Sequence, residues 1–325
     1  MRILVLTDTS AHSVENSMYG IVNALKAHNE VSDVFLADRN LDSNQAFFDA
    51  QSGALSGYKL DSDIQYPLNL STTELKEMDF NSIDICFLRL PRPIHPEFFS
   101  HLKQFIPDKR IVNRPSGIDK SSNKSFLLDL DQFTVPMQLC TSWVDIESFT
   151  SKYACVLKPL LSYGGKGIVK IKDGQVDYEG QVISIDAYKN IFNESPQDYL
   201  AMEYTENVSK GDKRIVVAGG KILSTALRLP KDGGWLCNIA QGGSSYISEP
   251  DETELNMVRY ISPILEELGI FYFGLDTLEG NDGKRFISEI NTLSIGGIVP
   301  AQNITGQNLT GQFADLFVKY CQKQR

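Results

Sequence analysis

Residues 271–291 read FYFGLDTLEGNDGKRFISEIN, a pattern of two apolar-rich runs around a short polar segment. The runs Phe271–Leu278 and Lys284–Ile290 each predict a strand. Between them, Glu279–Gly283 contains two glycines, an asparagine and an aspartate, which are typical of a hairpin turn. The sequence therefore predicts two adjacent antiparallel strands joined by a tight turn.

Three oxygen-bearing side chains lie on this predicted hairpin. Glu289 and Asn291 are two residues apart, so their side chains share one face of a strand, and the hairpin can bring Asp276 to that face. Mg²⁺ prefers carboxylate and amide oxygens, and it is usually shared with substrate phosphates. A single aspartate at a strand end is more often a simple exposed acid. The three residues together predict a metal–nucleotide site.

A second segment offers candidate phosphate ligands. The apolar run Val156–Pro159 predicts a strand, and residues 162–167 read SYGGKG before a further strand at Ile168–Ile171. Glycines let backbone N–H groups approach an anion closely, and lysines add positive charge. The loop joins strand to strand, so it is neither a Walker A motif nor a dinucleotide fingerprint, and alone it could be a plain turn. The candidate phosphate-binding residues are Lys158, Gly164, Gly165, Lys166 and Gly167.

Composition narrows the class of protein. The chain has 325 residues, enough for two or three domains, and 42% hydrophobic with 22% charged residues is ordinary for a soluble globular protein. A net charge of −10 argues against nucleic acid as the main partner. The five cysteines form no CxxC motif, which favours a reduced cytoplasmic protein over a disulfide or zinc scaffold. Because no apolar run is long enough to cross a bilayer, no membrane association is expected.

Alternation of elements predicts a mixed architecture. The first third alternates strands and helices, which predicts a small parallel sheet covered by helices. A polar connection over Asn40–Asn81 is expected to be partly helical or mobile. Ligands in such sheets bind beyond the C-terminal strand ends, so Asp8, Arg89 and Asn113 are expected at or near a pocket. The middle of the chain predicts an antiparallel α+β unit, and the last third predicts strands followed by a helix.

The order of motifs resembles that of the ATP-grasp superfamily, and within it the bacterial glutathione synthetases. The resemblance spans nearly the whole chain, and six or more motifs in the same order are hard to obtain by chance. The matching motifs are IVN-x-P at 111–115 with Lys124, LKP and GGKG at 157–167, MEY at 202–204, GDKR at 211–214, RLP at 228–230, N-x-x-x-GG at 238–243, FGLD at 273–276 and EIN at 289–291.

The resemblance implies an ATP-grasp fold in three parts. These are an N-terminal Rossmann-like domain at residues 1–120, a central lid domain at 121–203 and a C-terminal catalytic domain at 204–325. It also implies ATP and two Mg²⁺ ions, with Mn²⁺ as an alternative, at Asp276, Glu289 and Asn291. Relatives of this type form homo-oligomers, commonly dimers or tetramers.

The resemblance also assigns roles to individual residues. Arg214 and Arg228 face the transferring phosphoryl group or the acceptor carboxylate, as catalytic residues. The nucleotide-binding residues are Lys124, Lys158, Gly164, Gly165, Lys166, Gly167, Met202, Glu203, Tyr204, Asp212 and Asn238. The small-molecule peptide and amino-acid substrates are expected to contact Arg89, Asn113, Ser294, Gly296 and Gly297.

The implied reaction joins γ-glutamylcysteine to glycine through an acylphosphate. Two departures leave the substrates open: Leu236 replaces an arginine that relatives carry, and Ser294–Ile298 replaces their Ser-Pro-Thr stretch. The alternatives are a ligase for another acid and amine, such as a glutamate-adding or D-alanine–D-alanine-like enzyme, or a non-catalytic nucleotide-binding protein. The segment Pro230–Gly243 is predicted to be a lid.

Overall fold

The computed structural model describes residues 1–68, 70, 73–162, 164–231 and 244–324, which form three sheets with flanking helices. Within these ranges, no helix is long and apolar enough to cross a membrane. The sheets occupy residues 2–112, 137–203 and 212–291 in turn. The predicted domain division at residues 120 and 203 stays a prediction.

The first sheet has the order β4-β3-β2-β1-β5-β6. β1 is parallel to β2 and β5, β5 is parallel to β6, and β3 and β4 are antiparallel additions at one edge. The polar connection Asn40–Asn81 contains a helix, in agreement with the prediction that it is partly helical, and also both edge strands, which were not predicted. The elements are β1 (Arg2–Thr7), α1 (Ser17–Ala27), β2 (Asp33–Asp38), α2 (Asp42–Phe48), β3 (Ser56–Lys59), β4 (Leu75–Glu77), β5 (Ile85–Arg89), α3 (Phe98–Leu102), β6 (Ile111–Val112) and α4 (Pro115–Ser121).

The middle sheet is antiparallel, as predicted, with the order β11-β10-β9-β8-β12-β7. Its core contains Trp143, Tyr188 and Tyr199, which pack on one face of the sheet. The elements are β7 (Met137–Cys140), α5 (Trp143–Thr150), β8 (Cys155–Pro159), β9 (Val169–Lys172), β10 (Gln175–Tyr178), β11 (Gln181–Ser184), α6 (Ile185–Glu194) and β12 (Tyr199–Glu203).

The third sheet has the order β15-β14-β13-β16-β17, and all of its pairings are antiparallel. The hairpin predicted from residues 271–291 is β16 and β17, closed by a bond from the Gly280 amide to the Lys284 carbonyl, 2.8 Å long. The elements are β13 (Asp212–Ala218), β14 (Lys221–Leu229), β15 (Ser244–Ile247), α7 (Glu252–Glu267), β16 (Tyr272–Glu279), β17 (Arg285–Asn291), α8 (Ile298–Thr305) and α9 (Leu309–Gln324).

The first and third sheets share one hydrophobic core. Phe87 of β5, Phe271 beside β16 and Phe313 and Phe317 of α9 form an aromatic cluster with ring centroids 5.0–5.8 Å apart. Burial of aromatic side chains is the largest source of packing free energy in such a core. The carboxyl ends of β1 and β5 are therefore fixed beside the beginning of β16.

Candidate active site

The hairpin brings the three predicted metal ligands to one face. Asp276 lies directly opposite Glu289 in the β16–β17 register, and Gly274 lies opposite Asn291. The Asn291 Nδ2 atom is 3.3 Å from the Asp276 Oδ2 atom. The β16–β17 register shifts by one residue between Asp276 and Thr277. The juxtaposition inferred from sequence spacing is present.

Asp276 is the centre of a buried charge network. Arg214 donates to both of its carboxylate oxygens, through Nε and through Nη2 at 2.7 Å, and Arg228 Nη2 lies 3.0 Å from Oδ2. Arg228 also forms a bidentate pair with Asp212, at 2.7 and 2.5 Å. The two guanidinium groups offset the two carboxylates, which makes their burial possible.

This network sets the pKa values of its acids. Burial raises the pKa of Asp276, but the charges and hydrogen bonds of Arg214 and Arg228 outweigh it and hold the pKa at about 2. The pKa of Asp212 is raised because its burial outweighs the opposing effect of Arg228. Asp276 is therefore ionised throughout the physiological range and available as a hard anionic ligand.

The donor set fits Mg²⁺ on chemical grounds, because it combines two carboxylates with an amide oxygen on one face. Within the described ranges no three His, Cys, Asp or Glu side chains form a metal cluster, so the candidate set depends on Asn291. Both oxygens of Asp276 already accept bonds from arginine. A cation bound here would compete with those arginines for the carboxylate.

Two lysines lie against the same face. Lys158 Nζ donates to the Ser288 carbonyl at 2.9 Å, while Lys124 donates to the Ser162 carbonyl and lies 3.4 Å from the Glu289 carboxylate. Burial lowers the pKa of Lys158 to about 8, although Glu289 acts in the opposite direction. Two cations beside three oxygen ligands form a site suited to a polyanion such as a triphosphate.

An apolar cavity adjoins the charged face. It has an empty volume of about 710 Å³ and lies between β8 and β12 on one side and β16 and β17 on the other. Val156, Ile168, Met202, Leu278 and Phe286 supply its apolar walls, and Lys158, Asp212, Asp276 and Glu289 lie at its charged end. Its apolar walls and charged end suit a flat heterocycle attached to phosphates. Met202, Glu203 and Tyr204, predicted at the adenine, line it.

Three glycines of the loop between β8 and β9 have positive φ values, and the prediction that this loop binds phosphate stays a prediction. Gly164, Gly165 and Gly167 have φ values of 66°, 78° and 69°, which disfavour any residue with a Cβ atom. Lys166 lies between them. Tyr163 lies outside the described residues.

The predicted substrate residues fall into two groups. Arg89 and the segment Ser294–Gly297 meet, because the Arg89 Nη2 atom donates to the Ile295 carbonyl at 2.7 Å. Gly297, with a φ of 111°, immediately precedes α8, and a Cβ atom on Gly296 would meet nothing within 4 Å. This part of the segment has room for a small substrate.

Asn113 has a different environment from the one predicted. Its Nδ2 atom donates to the Tyr272 and Thr292 carbonyls, at 2.5 and 2.7 Å, and its Oδ1 atom accepts from the Phe271 and Tyr272 amides, at 2.8 and 2.9 Å. These four bonds use the full capacity of the side chain. Asn113 therefore connects β6 to the third sheet, and its side chain has no capacity left for a substrate.

Two predictions concern residues that the structure does not describe. Asn238, assigned to the nucleotide, and most of the predicted lid at Pro230–Gly243 lie outside the described ranges. Both stay predictions.

Sequence reasoning missed a second buried carboxylate behind the hairpin. Glu254, on α7, is fully buried and accepts from Lys213 at 2.8 Å and from the Thr277 hydroxyl at 2.5 Å. It also lies 3.6 Å from Arg285. Glu254 is also the third residue after Asp251, where a glutamate is expected simply to cap the helix. The sequence therefore gives no sign that the same carboxylate also binds Lys213 and Thr277.

Comparison with known proteins places the chain in a family. The model of the prokaryotic glutathione synthetase ATP-grasp domain matches residues 123–306, more than half of the chain. The glutathione synthetase of Buchnera aphidicola is 26% identical over 246 residues, which are 74% of this chain and 73% of that protein. The Agrobacterium fabrum glutathione synthetase is 27% identical over 256 residues, 77% and 76% of the two chains.

Solved structures support the fold. D-cycloserine synthetase DcsG superposes with a TM-score of 0.67 at 11% identity, over 100% of both chains. The ATP-grasp RimK domain protein of Sphaerobacter thermophilus superposes with a TM-score of 0.59 at 16% identity, over 97% of this chain and 99% of that one. The chain is an ATP-dependent peptide ligase with the ATP-grasp fold, and it belongs to the prokaryotic glutathione synthetase family.

Proposed function

We propose that the enzyme joins the carboxylate of γ-glutamylcysteine to the amine of glycine, with conversion of ATP to ADP and phosphate. The family match supports this choice of acid and amine. The observation that carries it within the structure is the buried network of Arg214, Arg228 and Asp276 beside Lys158 and an apolar cavity. That network combines a nucleotide site with cations for an anionic acceptor.

The proposed chemistry has two steps. An oxygen of the cysteine carboxylate attacks the γ-phosphorus of ATP, the bond to the β-phosphate oxygen breaks, and ADP leaves. The glycine nitrogen then attacks the acyl carbon, phosphate leaves with the former carboxylate oxygen, and the nitrogen loses a proton. Because the acylphosphate hydrolyses in water, the site must align both reactants and exclude solvent.

Each proposed role follows from position. The apolar cavity takes the adenine ring, Lys124 and Lys158 neutralise the phosphates, and the glycine loop supplies N–H donors. Arg214 and Arg228 stabilise the charge on the transferring phosphoryl group. Asp276, Glu289 and Asn291 would hold Mg²⁺ or Mn²⁺, proposed as two ions, and the metal would supply additional charge neutralisation for the phosphates.

Phosphate release with a panel of acid and amine pairs tests the proposal. With γ-glutamylcysteine and glycine, we expect phosphate and glutathione in equal amounts, and little phosphate when either substrate is omitted. Faster phosphate release with another acid and amine would overturn the assignment of γ-glutamylcysteine. The pairs to include are D-alanine with D-alanine, and a carboxylic acid with glutamate as the amine.

A second candidate, a larger amine in place of glycine, is favoured by one observation. The space beside Gly296 is open, and the segment there departs from the Ser-Pro-Thr stretch expected of glycine-using relatives. The same panel decides between them if it includes alanine and serine as amines. Higher kcat/KM with either amine than with glycine would select the second candidate.

Two further expectations accompany the proposal. A homo-oligomer, dimer or tetramer, would appear as a species of at least twice the chain mass in analytical ultracentrifugation. A cytoplasmic location agrees with the free, buried thiols of Cys86, Cys140 and Cys155.

A further inference from the structure

Strand β17 has one residue more than β16 at the point where the two strands pass the candidate metal site. In their register Asp276 lies opposite Glu289 and Thr277 lies opposite Ile287, so Ser288 is the extra residue of β17. Such a β-bulge changes the direction of the side chains that follow it, and bulges are frequent beside active sites.

The bulge determines which face of the sheet the candidate ligands occupy. Side chains of a regular strand alternate between the two faces, so Phe286 and Glu289, three residues apart, would point in opposite directions. In the structure both line the same cavity. The bulge therefore lets β17 present Phe286 to the apolar part of the cavity and also Glu289 and Asn291 to the metal site. A strand without the extra residue would turn those two ligands to the opposite face of the sheet.

A buried carboxylate on that opposite face is bonded to the residue at the bulge. Lys213 and Thr277 are paired in the β13–β16 register, next to the pair of Arg214 and Asp276, so their side chains lie on the other face of the sheet. There Glu254 of α7 accepts from the Thr277 hydroxyl at 2.5 Å and from Lys213 Nζ at 2.8 Å. Glu254 therefore connects Thr277 to the strand that carries Arg214.

Arg285 completes this group from β17. Its Nη1 atom donates to the Thr277 carbonyl at 3.0 Å, and its Nε atom lies 3.6 Å from the Glu254 carboxylate. The side chains of Lys213 and Arg285 are 13% and 9% exposed, so two largely buried cations offset one fully buried carboxylate. Both the hydroxyl and the carbonyl of Thr277 are thus held by this group, directly at the shift in register.

Capping of α7 does not account for the whole arrangement. The Asp251 amide donates to Oε2 of Glu254 at 2.9 Å, which is the bond that a capping box requires. The other oxygen, Oε1, accepts from the Thr277 hydroxyl. A glutamate that only capped the helix would need no bond to β16.

We propose that Glu254 is a positioning residue for the metal site. Acting through Thr277 and Arg285, it holds the bulge that keeps Glu289 and Asn291 on the nucleotide side of the sheet. The inference rests on the proposed function, because those two side chains are taken to be metal ligands there. Glu254 itself lies behind the sheet and touches neither nucleotide nor metal.

Binding of Mn²⁺ in the presence of saturating ADP tests this role without turnover, with the electron paramagnetic resonance signal of free Mn²⁺ as the readout. Thr277→Val keeps the shape of the side chain and removes the bond to Glu254, and Glu254→Gln removes the charge. We expect each change to raise the Kd for Mn²⁺ roughly tenfold or more, because the ligands lose their fixed orientation. Thr225→Val is the matched control and should keep the wild-type Kd. Thr225 is buried on the same face of the sheet, and its hydroxyl has no hydrogen-bond partner among the described residues.

A double-mutant cycle separates positioning from a general loosening of the sheet. If Glu254 acts through the ligands of β17, Thr277→Val should change the Kd for Mn²⁺ by less than about threefold once Glu289→Gln is present. Equal weakening with and without Glu289→Gln would overturn this inference alone. So would a lower Tm of Thr277→Val and Glu254→Gln with a wild-type Kd for Mn²⁺. A wild-type Kd for Glu289→Gln itself would overturn the proposed metal site and the inference with it.

Discussion

At the scale of single residues, the site depends on charges that offset one another. Asp276 keeps its charge while 3% exposed because Arg214 and Arg228 both donate to it. Neither arginine is close to Asp276 in the sequence, so their partnership could not be inferred from spacing. The GDKR and RLP motifs did identify Arg214 and Arg228 as candidate site residues.

Asp276→Asn tests this charge at the candidate metal face. We expect kcat to fall on the order of 10²-fold or more, since the change removes an anionic ligand and leaves two buried arginines less well paired. Steady-state phosphate release measures the effect. Asp282→Asn, in the exposed turn of the same hairpin, is the matched control and should retain wild-type kcat. Equal activity of both variants would rule out a role for Asp276 in turnover.

Because the pKa of Lys158 is lowered, we predict that nucleotide binding depends on pH. Burial lowers the pKa of its ammonium group to about 8 in the folded enzyme, against about 10.4 in an unfolded chain. As pH rises through about 8 the cation is lost, so the affinity for ATP should fall by up to about tenfold per pH unit. Calorimetric titration with ATP measures it, and Lys158→Met should lack this dependence. A wild-type Kd that is the same at about pH 7 and about pH 9 would contradict the assignment.

The contribution of Lys158 to the free energy of unfolding should rise with pH, whereas the affinity for ATP should fall. Between about pH 8 and pH 10.4 the unfolded chain binds more protons at this lysine than the folded one, so its contribution to the free energy of unfolding rises with pH. Below about pH 8 both states are protonated, and the folded state bears the full cost of the buried charge. Lys158→Met should remove this contribution from the pH dependence of chemical denaturation.

At the scale of elements, local sequence patterns predicted the β16–β17 hairpin more accurately than they predicted the other strands and helices. The turn at Glu279–Gly283 and the two apolar runs were sufficient, because both signals are local in sequence. Strands β10 and β11 were not predicted, although the turns before and after β10, Asp173-Gly174 and Glu179-Gly180, have the positive φ values of tight turns. Helix α8 was missed because only eight residues separate Gly297 from Gly306, too few to show a clear period.

The proposed phosphate-binding role of the β8–β9 loop can be tested by comparing Gly164 with Gly174, a turn glycine of similar backbone conformation. Gly164 and Gly174 have φ values of 66° and 71°, and a Cβ atom on either would meet nothing within 4 Å. Alanine at either position should cost about 1 kcal/mol of stability. Only Gly164→Ala should also raise the KM for ATP, by roughly tenfold, because it would disturb the N–H groups that we propose bind the phosphates. An equal rise in Gly174→Ala would show that the effect is not local to the loop.

At the scale of the whole molecule, the Asn113 side chain and a shared core connect the first sheet to the third. Asn113 was predicted as a substrate residue because it follows a strand end, which is a correct position with a different use. The bonds it makes connect residues more than 150 positions apart in the chain. Long-range partnerships of this kind have no sequence signal without the fold.

Asn113→Ala tests this connection. It would leave buried backbone amides and carbonyls of Phe271, Tyr272 and Thr292 without partners, at about 3 kcal/mol or more in total. We expect the Tm to fall by about 5 °C or more in differential scanning calorimetry. Asn81→Ala, at an exposed position in the turn between β4 and β5, should change Tm by little. If Asn113→Ala instead raised the KM for the acid with an unchanged Tm, Asn113 would contact substrate.

We propose that this enzyme phosphorylates the cysteine carboxylate of γ-glutamylcysteine before glycine attacks. The most direct measurement uses γ-glutamylcysteine labelled with ¹⁸O in that carboxylate and determines the mass of the phosphate released in the presence of ATP and glycine. The account predicts one labelled oxygen in each phosphate, because phosphate leaves with a former carboxylate oxygen. Phosphate that carries no label, released together with glutathione, would contradict it.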